Sequence, residues 1–382
     1  MRRTIFTEDH EAFRASAREF IDRVARPRHE EMIRTHRIPR EVWLEAGRQG
    51  LLGLSIPEEY GGAGAGDYRF NAVLAEEQSR LSAAFSSCMG IHSDVCPPYL
   101  VAHGTDEQKQ RWLPAIASGE QIIAIAMTEP SGGSDLAALK TTAVRDGEDW
   151  VLNGSKTFIT NGHSCDLVIV AARTDPSKGA KGITLFVVEA GTDGFTKGEP
   201  LDKVGQDEAD TCELFFDDVR VPDDHRLGEE GRGFILMMEH LTQERAGAAV
   251  SNIAHAAQIL TETIDYAKER HAFGQPIGQF QHNKFLLAEL VTMIDVTQTF
   301  VDQCVLAHGE GQLSPVDAAK AKWWSAQVQG DVLDACVQIH GGYGFMNEYR
   351  VARAWRDARV TRIWAGSNEI MKEIIGRDLG LG

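Results

Sequence analysis

The spacing of apolar residues changes twice along the chain. From the start to about residue 120 the apolar positions recur at helical intervals, as in Phe13, Ala17, Phe20 and Val24. Thr7 or Asp9 is placed to cap that first helix. Further helices are predicted over 40–48, 69–81, 84–101 and 106–117, with Pro97 and Pro98 breaking or kinking the fourth. The 53–66 segment is rich in Gly and Pro and reads as a loop. Its glycines do not spell G-x-G-x-x-G and no strand–turn–helix frame surrounds them, which argues against a Rossmann nucleotide site.

Near residue 120 the pattern becomes extended. Candidate strands cover 122–127, 150–153, 167–173, 183–189 and 211–216, separated by Gly, Asn and Asp turns, and predict an antiparallel β domain. Past Gly231 the helical period returns. Ile253, Ala257, Leu260 and Ile264 form one stripe, and Leu287, Leu290, Ile294, Val301 and Val305 a second. A third long helix is expected over 314–340 and a shorter fourth over 367–378. Long helices with short links predict a four-helix bundle. The expected organisation is a multi-domain α+β chain: an α-helical domain (1–120), a central antiparallel β domain (121–232) and a helical bundle (233–382).

The totals narrow the chemistry. The chain has 382 residues and a net charge of −17, which speaks against nucleic-acid binding but leaves room for a nucleotide held by a few local cations. Its six cysteines make no Cys-x-x-Cys pair, so neither a metal site nor a disulfide framework is expected. No apolar run reads as long enough to span a membrane and no secretory apolar region opens the chain. These features fit a cytoplasmic protein.

Six segments carry candidate chemistry. After the first predicted strand comes Met127-Thr128-Glu129-Pro130-Ser131-Gly132-Gly133-Ser134-Asp135, a turn whose adjacent glycines can aim backbone N–H groups at a phosphate; Asp135 could brace it. In 154–162, Phe158 and Thr160 sit two apart, which places a ring and a hydroxyl on one face of a strand. Arg270, Phe273 and Gln281 follow the first bundle helix, and Gln338, Gly341 and Gly342 a later one. Ser367 and Glu369 open the last helix, where an anion or a simple cap would serve equally. Thr242-Gln243-Glu244-Arg245 places a carboxylate beside a guanidinium on the first bundle helix.

Taken in order, these segments resemble the acyl-CoA dehydrogenase family over essentially the whole chain. Gln243-Glu244-Arg245, Phe300-Val301-Asp302, 368–373 and Asp210-Thr211 are similar to its long-chain branch. The resemblance implies FAD as cofactor, an acyl-CoA substrate, electron-transfer flavoprotein as acceptor and a dimer of dimers. It implies that Met127, Thr128, Gly133, Ser134, Phe158 and Thr160 line the flavin. Arg270, Phe273, Gln281, Gln338, Gly341 and Gly342 would reach the FAD of a neighbouring subunit, with Ser367 and Glu369 holding FAD from the bundle side. Ser134, Thr242, Arg245 and Gly366 would touch the thioester arm, and Gly90, Ile91 and 96–98 would shape the pocket floor.

One departure matters. Many members carry the catalytic Glu where this chain has Ala365, in Trp364-Ala365-Gly366-Ser367. The long-chain and isovaleryl branches place it instead in a Glu-Arg pair on the bundle helix, which implies Glu244 as base and leaves Ala365 its backbone N–H as donor to the thioester carbonyl. Arg245 is expected to avoid a direct pair with Glu244 and to hold backbone nearby, because pairing would keep the base too acidic. Two other readings stay open on these residues: an acyl-CoA oxidase, and a flavin-binding scaffold without activity.

Overall fold

The computed structural model describes residues 3–381; Met1, Arg2 and Gly382, at the outer ends of the expected domains, lie outside the described residues. Seven helices come first: α1 Glu8–Phe20, α2 His29–Thr35, α3 Arg40–Arg48, α4 Arg69–Ser79, α5 Ala83–Gly90, α6 Cys96–His103 and α7 Asp106–Ser118. Thr7 starts α1. The two prolines do not break the α5–α6 run. The chain instead widens into a π-type turn at Ile91–Val95, and Pro97 falls in the first turn of α6, where a missing N–H costs nothing.

Eight strands form one sheet: β1 Ile123–Ala126, β2 Thr142–Asp146, β3 Asp149–Ile159, β4 Leu167–Arg173, β5 Ile183–Glu189, β6 Phe195–Lys197, β7 Cys212–Pro222 and β8 Arg226–Leu227. Their order is β6-β7-β3-β2-β4-β5-β8, with β1 beside β4. The sheet is antiparallel in most of its pairings, as expected, but β1 runs parallel to β4 with Ile123 opposite Leu167. The β2–β3 hairpin intervenes in sequence and supplies the long connection that a parallel pair needs. Odd positions of β4 (Leu167, Ile169, Ala171) pack towards α6 and α7, and even positions (Val168, Val170, Ala172) pack within the sheet. Burial on both faces explains the unbroken apolar run.

The helical part begins with α8 Gly233–Glu269, continues through a small hairpin (β9 His271–Ala272, β10 Gln275–Pro276), and adds α9 Gln281–Gly309, α10 Pro315–His340, α11 Arg350–Ala358 and α12 Asn368–Asp378. Val250, Ile253 and Leu260 of α8 share a core with Leu290, Val301 and Val305 of α9 and Val328 and Val332 of α10. The reading that no segment could span a membrane also needs correction. Gln281–Gly309 is long and apolar enough by length and composition. In this fold its stripe Leu290, Ile294, Val301 and Val305 is buried in the helical core.

Candidate active site

The turn after β1 is held by a residue that the sequence reading did not single out. The Glu129 carboxylate accepts from the backbone N–H groups of Lys140 (2.6 Å) and Thr141 (2.8 Å) and from Lys156 Nζ (2.9 Å). Lys156 also donates to the Met127 carbonyl at 3.1 Å. Both side chains are buried, at 4 % and 0 % exposure. Burial opposes the charge on Glu129, but Lys156 and the backbone donors hold it down to about 2. Burial likewise pulls Lys156 down to about 8. Asp135, expected to brace the turn, makes no such bond and lies exposed at the cavity.

This ion pair ties the turn to the end of β3, where Thr157 N–H donates to the Thr128 carbonyl at 3.0 Å. The strand's register is disturbed between Lys156 and Ile159, and Phe158 has a left-handed φ of 59°. Phe158 and Thr160 therefore reach the same cavity through a local kink, not through simple strand alternation. The Phe158 ring is 67 % exposed and lines that cavity with Met127, Thr128, Gly133 and Ser134. A Cβ on Gly133 would come 3.1 Å from Thr128 Cγ2, so the turn packs closely there.

The cavity measures about 460 Å³ and continues between α4, α5 and α8. Glu244, Ala248 and Ser251 line it along one face of α8 at i, i+4 and i+7. The Glu244 carboxylate accepts from the Tyr99 hydroxyl at 3.0 Å. No ion pair joins Glu244 to Arg245 among the described residues, as expected. Burial pushes the Glu244 carboxyl up to about 7, opposed by the Tyr99 bond and the Arg245 charge. Asp94 is a second raised carboxyl in the cavity wall, pushed by burial to about 6 despite bonds from Tyr68, Asn71 and Gln243.

Ala365 and Gly366 face the same cavity with left-handed φ angles of 51° and 85°. The Ala365 N–H has no protein acceptor among the described residues. Arg245 lines the cavity with its Nε buried and unpaired, so it does not hold the backbone as expected. Lys322 does: its buried ammonium donates to the Gly366 carbonyl.

Most of the remaining expected residues fall elsewhere. Thr242 is on α8 beside the cavity residues without lining it. Ser367 caps α12 by accepting from Ile370 N–H at 3.3 Å, and Glu369 lies in that helix's first turn; neither lines the cavity. Gly90 and Ile91 line the cavity, whereas Cys96, Pro97 and Pro98 do not. Arg270, Phe273, Gln281, Gln338, Gly341 and Gly342 gather at the end of the helical part where α8 and α10 finish and α9 starts. There the Arg270 guanidinium lies 5.6 Å from the Tyr343 ring, and Phe273 is 96 % exposed. Tyr99, Glu129, Lys156 and Lys322 went unread. A tyrosine buried at 0 % needs a partner for its hydroxyl, but the sequence does not reveal which tyrosines are buried.

The turn, the exposed ring of Phe158 and the free Ala365 N–H leave room and donors for a flavin and a thioester between the β and helical parts. The family models for the N-terminal, middle and C-terminal domains of acyl-CoA dehydrogenase match residues 7–120, 124–219 and 231–380. The mitochondrial long-chain specific acyl-CoA dehydrogenase of Mus musculus is 46 % identical over 99 % of this chain and 88 % of its own length. The crystal structure of an acyl-CoA dehydrogenase from Geobacillus kaustophilus superposes with a TM-score of 0.96 at 44 % identity, covering 98 % of each chain. A glutaryl-CoA dehydrogenase from Mycobacterium smegmatis, solved in complex with FADH2, superposes with a TM-score of 0.92 at 28 % identity over 98 % of this chain and 95 % of its own. This chain belongs to the acyl-CoA dehydrogenase family, FAD-dependent oxidoreductases that act on CH–CH groups.

Proposed function

We propose that this protein dehydrogenates a long-chain or branched acyl-CoA to the trans-2-enoyl-CoA, with Glu244 as the base. The observation that carries the reading is a cavity-facing glutamate, raised to about 7 and paired with no cation, in the same cavity as the unsatisfied Ala365 N–H. A base that titrates near neutrality can both exist as carboxylate and accept a proton usefully. Donation from Ala365 N–H to the thioester carbonyl polarises it and makes the α proton more acidic. Two tasks that one residue performs in many relatives are thus divided between Glu244 and Ala365. Bound FAD supplies the acceptor for the β hydride. Leu74, Ile91, Val95 and Leu241 give the cavity an apolar lining that excludes water from the proton transfer.

The cavity's volume of about 460 Å³, with the small residues Gly90 and Ala248 in its lining, supports a long chain. We assign electron-transfer flavoprotein as acceptor on the family resemblance. We also assign a homotetramer in which the Arg270–Gln281 and Gln338–Gly342 groups complete a neighbour's FAD site. The exposed Phe273, Phe345 and Tyr343 at that end of the helical part suit such packing. A cytoplasmic setting fits six free, buried cysteines.

The test is anaerobic bleaching of the flavin's visible absorbance by a long-chain acyl-CoA, in the protein as it stands and in Glu244→Gln. Bleaching in the first and near-complete loss in the second is the expected result. No bleaching in either, with flavin bound, would favour a non-catalytic scaffold; equal bleaching would remove Glu244 as base. Fast reoxidation by air without a protein acceptor would point to an oxidase.

A further inference from the structure

Beyond the base, the cavity wall is more polar than a plain alkyl tail needs. Asn71, Leu74, Ala75 and Gln78 of α4 line it at i, i+3, i+4 and i+7. Most polar groups around this wall are already satisfied. Asp94 takes bonds from Tyr68, Asn71 and Gln243. Ser79 donates to Ser86 Oγ at 3.0 Å, and Ser86 Oγ lies 3.2 Å from Ser251 Oγ on α8.

Gln78, on the α4 wall, is an exception. It is 2 % exposed, and its side-chain amide forms no hydrogen bond among the described residues; Nε2 is buried without an acceptor. A buried amide is normally paired, so one left open beside a cavity is made for something that enters the cavity. Its neighbour Ser79 connects through Ser86 to Ser251, seven residues beyond Glu244. That chain sets this turn of α4 beside Ser251, roughly 10 Å past Glu244 along the α8 axis, and Gln78 and Ser251 both line the cavity there.

We propose that Gln78 is a specificity residue that hydrogen-bonds an oxygen substituent on the acyl chain, so that the enzyme prefers an oxygenated acyl-CoA to its plain alkyl counterpart. The amide offers both a donor and an acceptor, which suits a hydroxyl. Asp94 cannot take this role, because its acceptors are already engaged by three side chains. The inference rests on the acyl-CoA dehydrogenase reading above and deepens it by naming the class of chain.

The experiment compares kcat/KM for decanoyl-CoA and ω-hydroxydecanoyl-CoA in the wild type, Gln78→Leu and Gln78→Met. The wild type should favour the hydroxyl compound by about tenfold, the value of one well-made hydrogen bond. Both variants should abolish or invert that preference. Moving the hydroxyl to mid-chain in the wild type should weaken it, a readout that needs no variant to fold. A preference ratio that is the same in wild type and variants, or that favours the plain chain throughout, overturns the proposal. If neither compound bleaches the flavin of the wild type, the dehydrogenase reading itself fails. If decanoyl-CoA bleaches and the ratio does not respond to residue 78, only the role of Gln78 is lost.

Discussion

Glu129 and Glu244 are two enclosed carboxyls, each with a basic residue close by, and they end up on opposite sides of the ordinary glutamate range. Glu129 touches Lys156 at 2.9 Å, takes two backbone N–H groups and falls to about 2. Glu244 precedes Arg245 in sequence, forms no ion pair with it, accepts from Tyr99 and rises to about 7. The first holds a loop in place and needs a permanent charge. In the proposed reaction the second takes up a proton, and a direct cation would oppose that. On a helix, successive residues point about 100° apart, so adjacency in sequence separates Glu244 from Arg245. The strand-to-loop contact brings Glu129 and Lys156 together across 27 positions.

The sharpest way to break the comparison is to remove the charge from each glutamate's side. Glu244→Gln should lower the rate of flavin bleaching by about a thousandfold or more, since it removes the proposed base. A stopped-flow trace within tenfold of the wild type would refute the assignment. Lys156→Met leaves a buried carboxylate without its cation and should destabilise the protein by about 3–5 kcal/mol, read as a fall in melting temperature with loss of bound flavin. Adding Glu129→Gln to it should recover part of that loss. A Lys156→Met protein of unchanged stability would mean that the pair is not what holds the turn.

The pH dependence of stability should separate the two residues as well. Glu129 is depressed, so its contribution is complete above about 4.5 and fades as pH falls towards 2. Glu244 is raised: the folded protein keeps a proton that the unfolded chain releases near 4.5, so this contribution is present at low pH and is lost as pH rises through about 7. Glu244→Gln should therefore be more stable than the wild type above neutrality, by about 1 kcal/mol or more. Denaturant titrations at pH 5 and pH 8 check this, and a difference that does not grow with pH would contradict it.

The contrast also marks what was legible in the sequence. The succession of helical, extended and helical periods survives in the fold because long stripes such as Leu290, Ile294, Val301 and Val305 report burial directly. Glu244 could be proposed from the sequence because Ala365 leaves no carboxylate at 365 and Glu244-Arg245 offers one on α8, and the structure places Glu244 in the cavity lining. Lys156 was not legible: the disturbance near the end of β3 buries both Lys156 and Thr157, which defeats the inside–outside alternation that would flag an inward lysine. Lys322 sits among small apolar residues of α10 and looks like one charge on a helix until Gly366 is seen beside it. α11 was missed because it is short and rich in arginine, and Arg350 at its start bonds Glu262 and the carbonyls of Arg80 and Leu81. Such partners are distant in sequence and leave no local pattern.

Tyr99 tests how finely the base is set. Its hydroxyl donates to Glu244, which favours the carboxylate, while burial favours the neutral acid. Tyr99→Phe keeps the ring, its packing at 4.2 Å from the His240 ring and the fold around it, and deletes one donor. The charged form loses support, so the base should become a weaker acid by about one pH unit or less. Activity requires the carboxylate, so the acid limb of kcat/KM should move to higher pH, with the two proteins converging on its alkaline side. His240, pulled down by burial to about 4, is already neutral across this range. Asp94, pushed up by burial to about 6, keeps its own bonds from Tyr68, Asn71 and Gln243 in the variant. A purely structural role for the hydroxyl would lower kcat/KM by the same factor at every pH, and that pattern would remove Tyr99 from the proton chemistry.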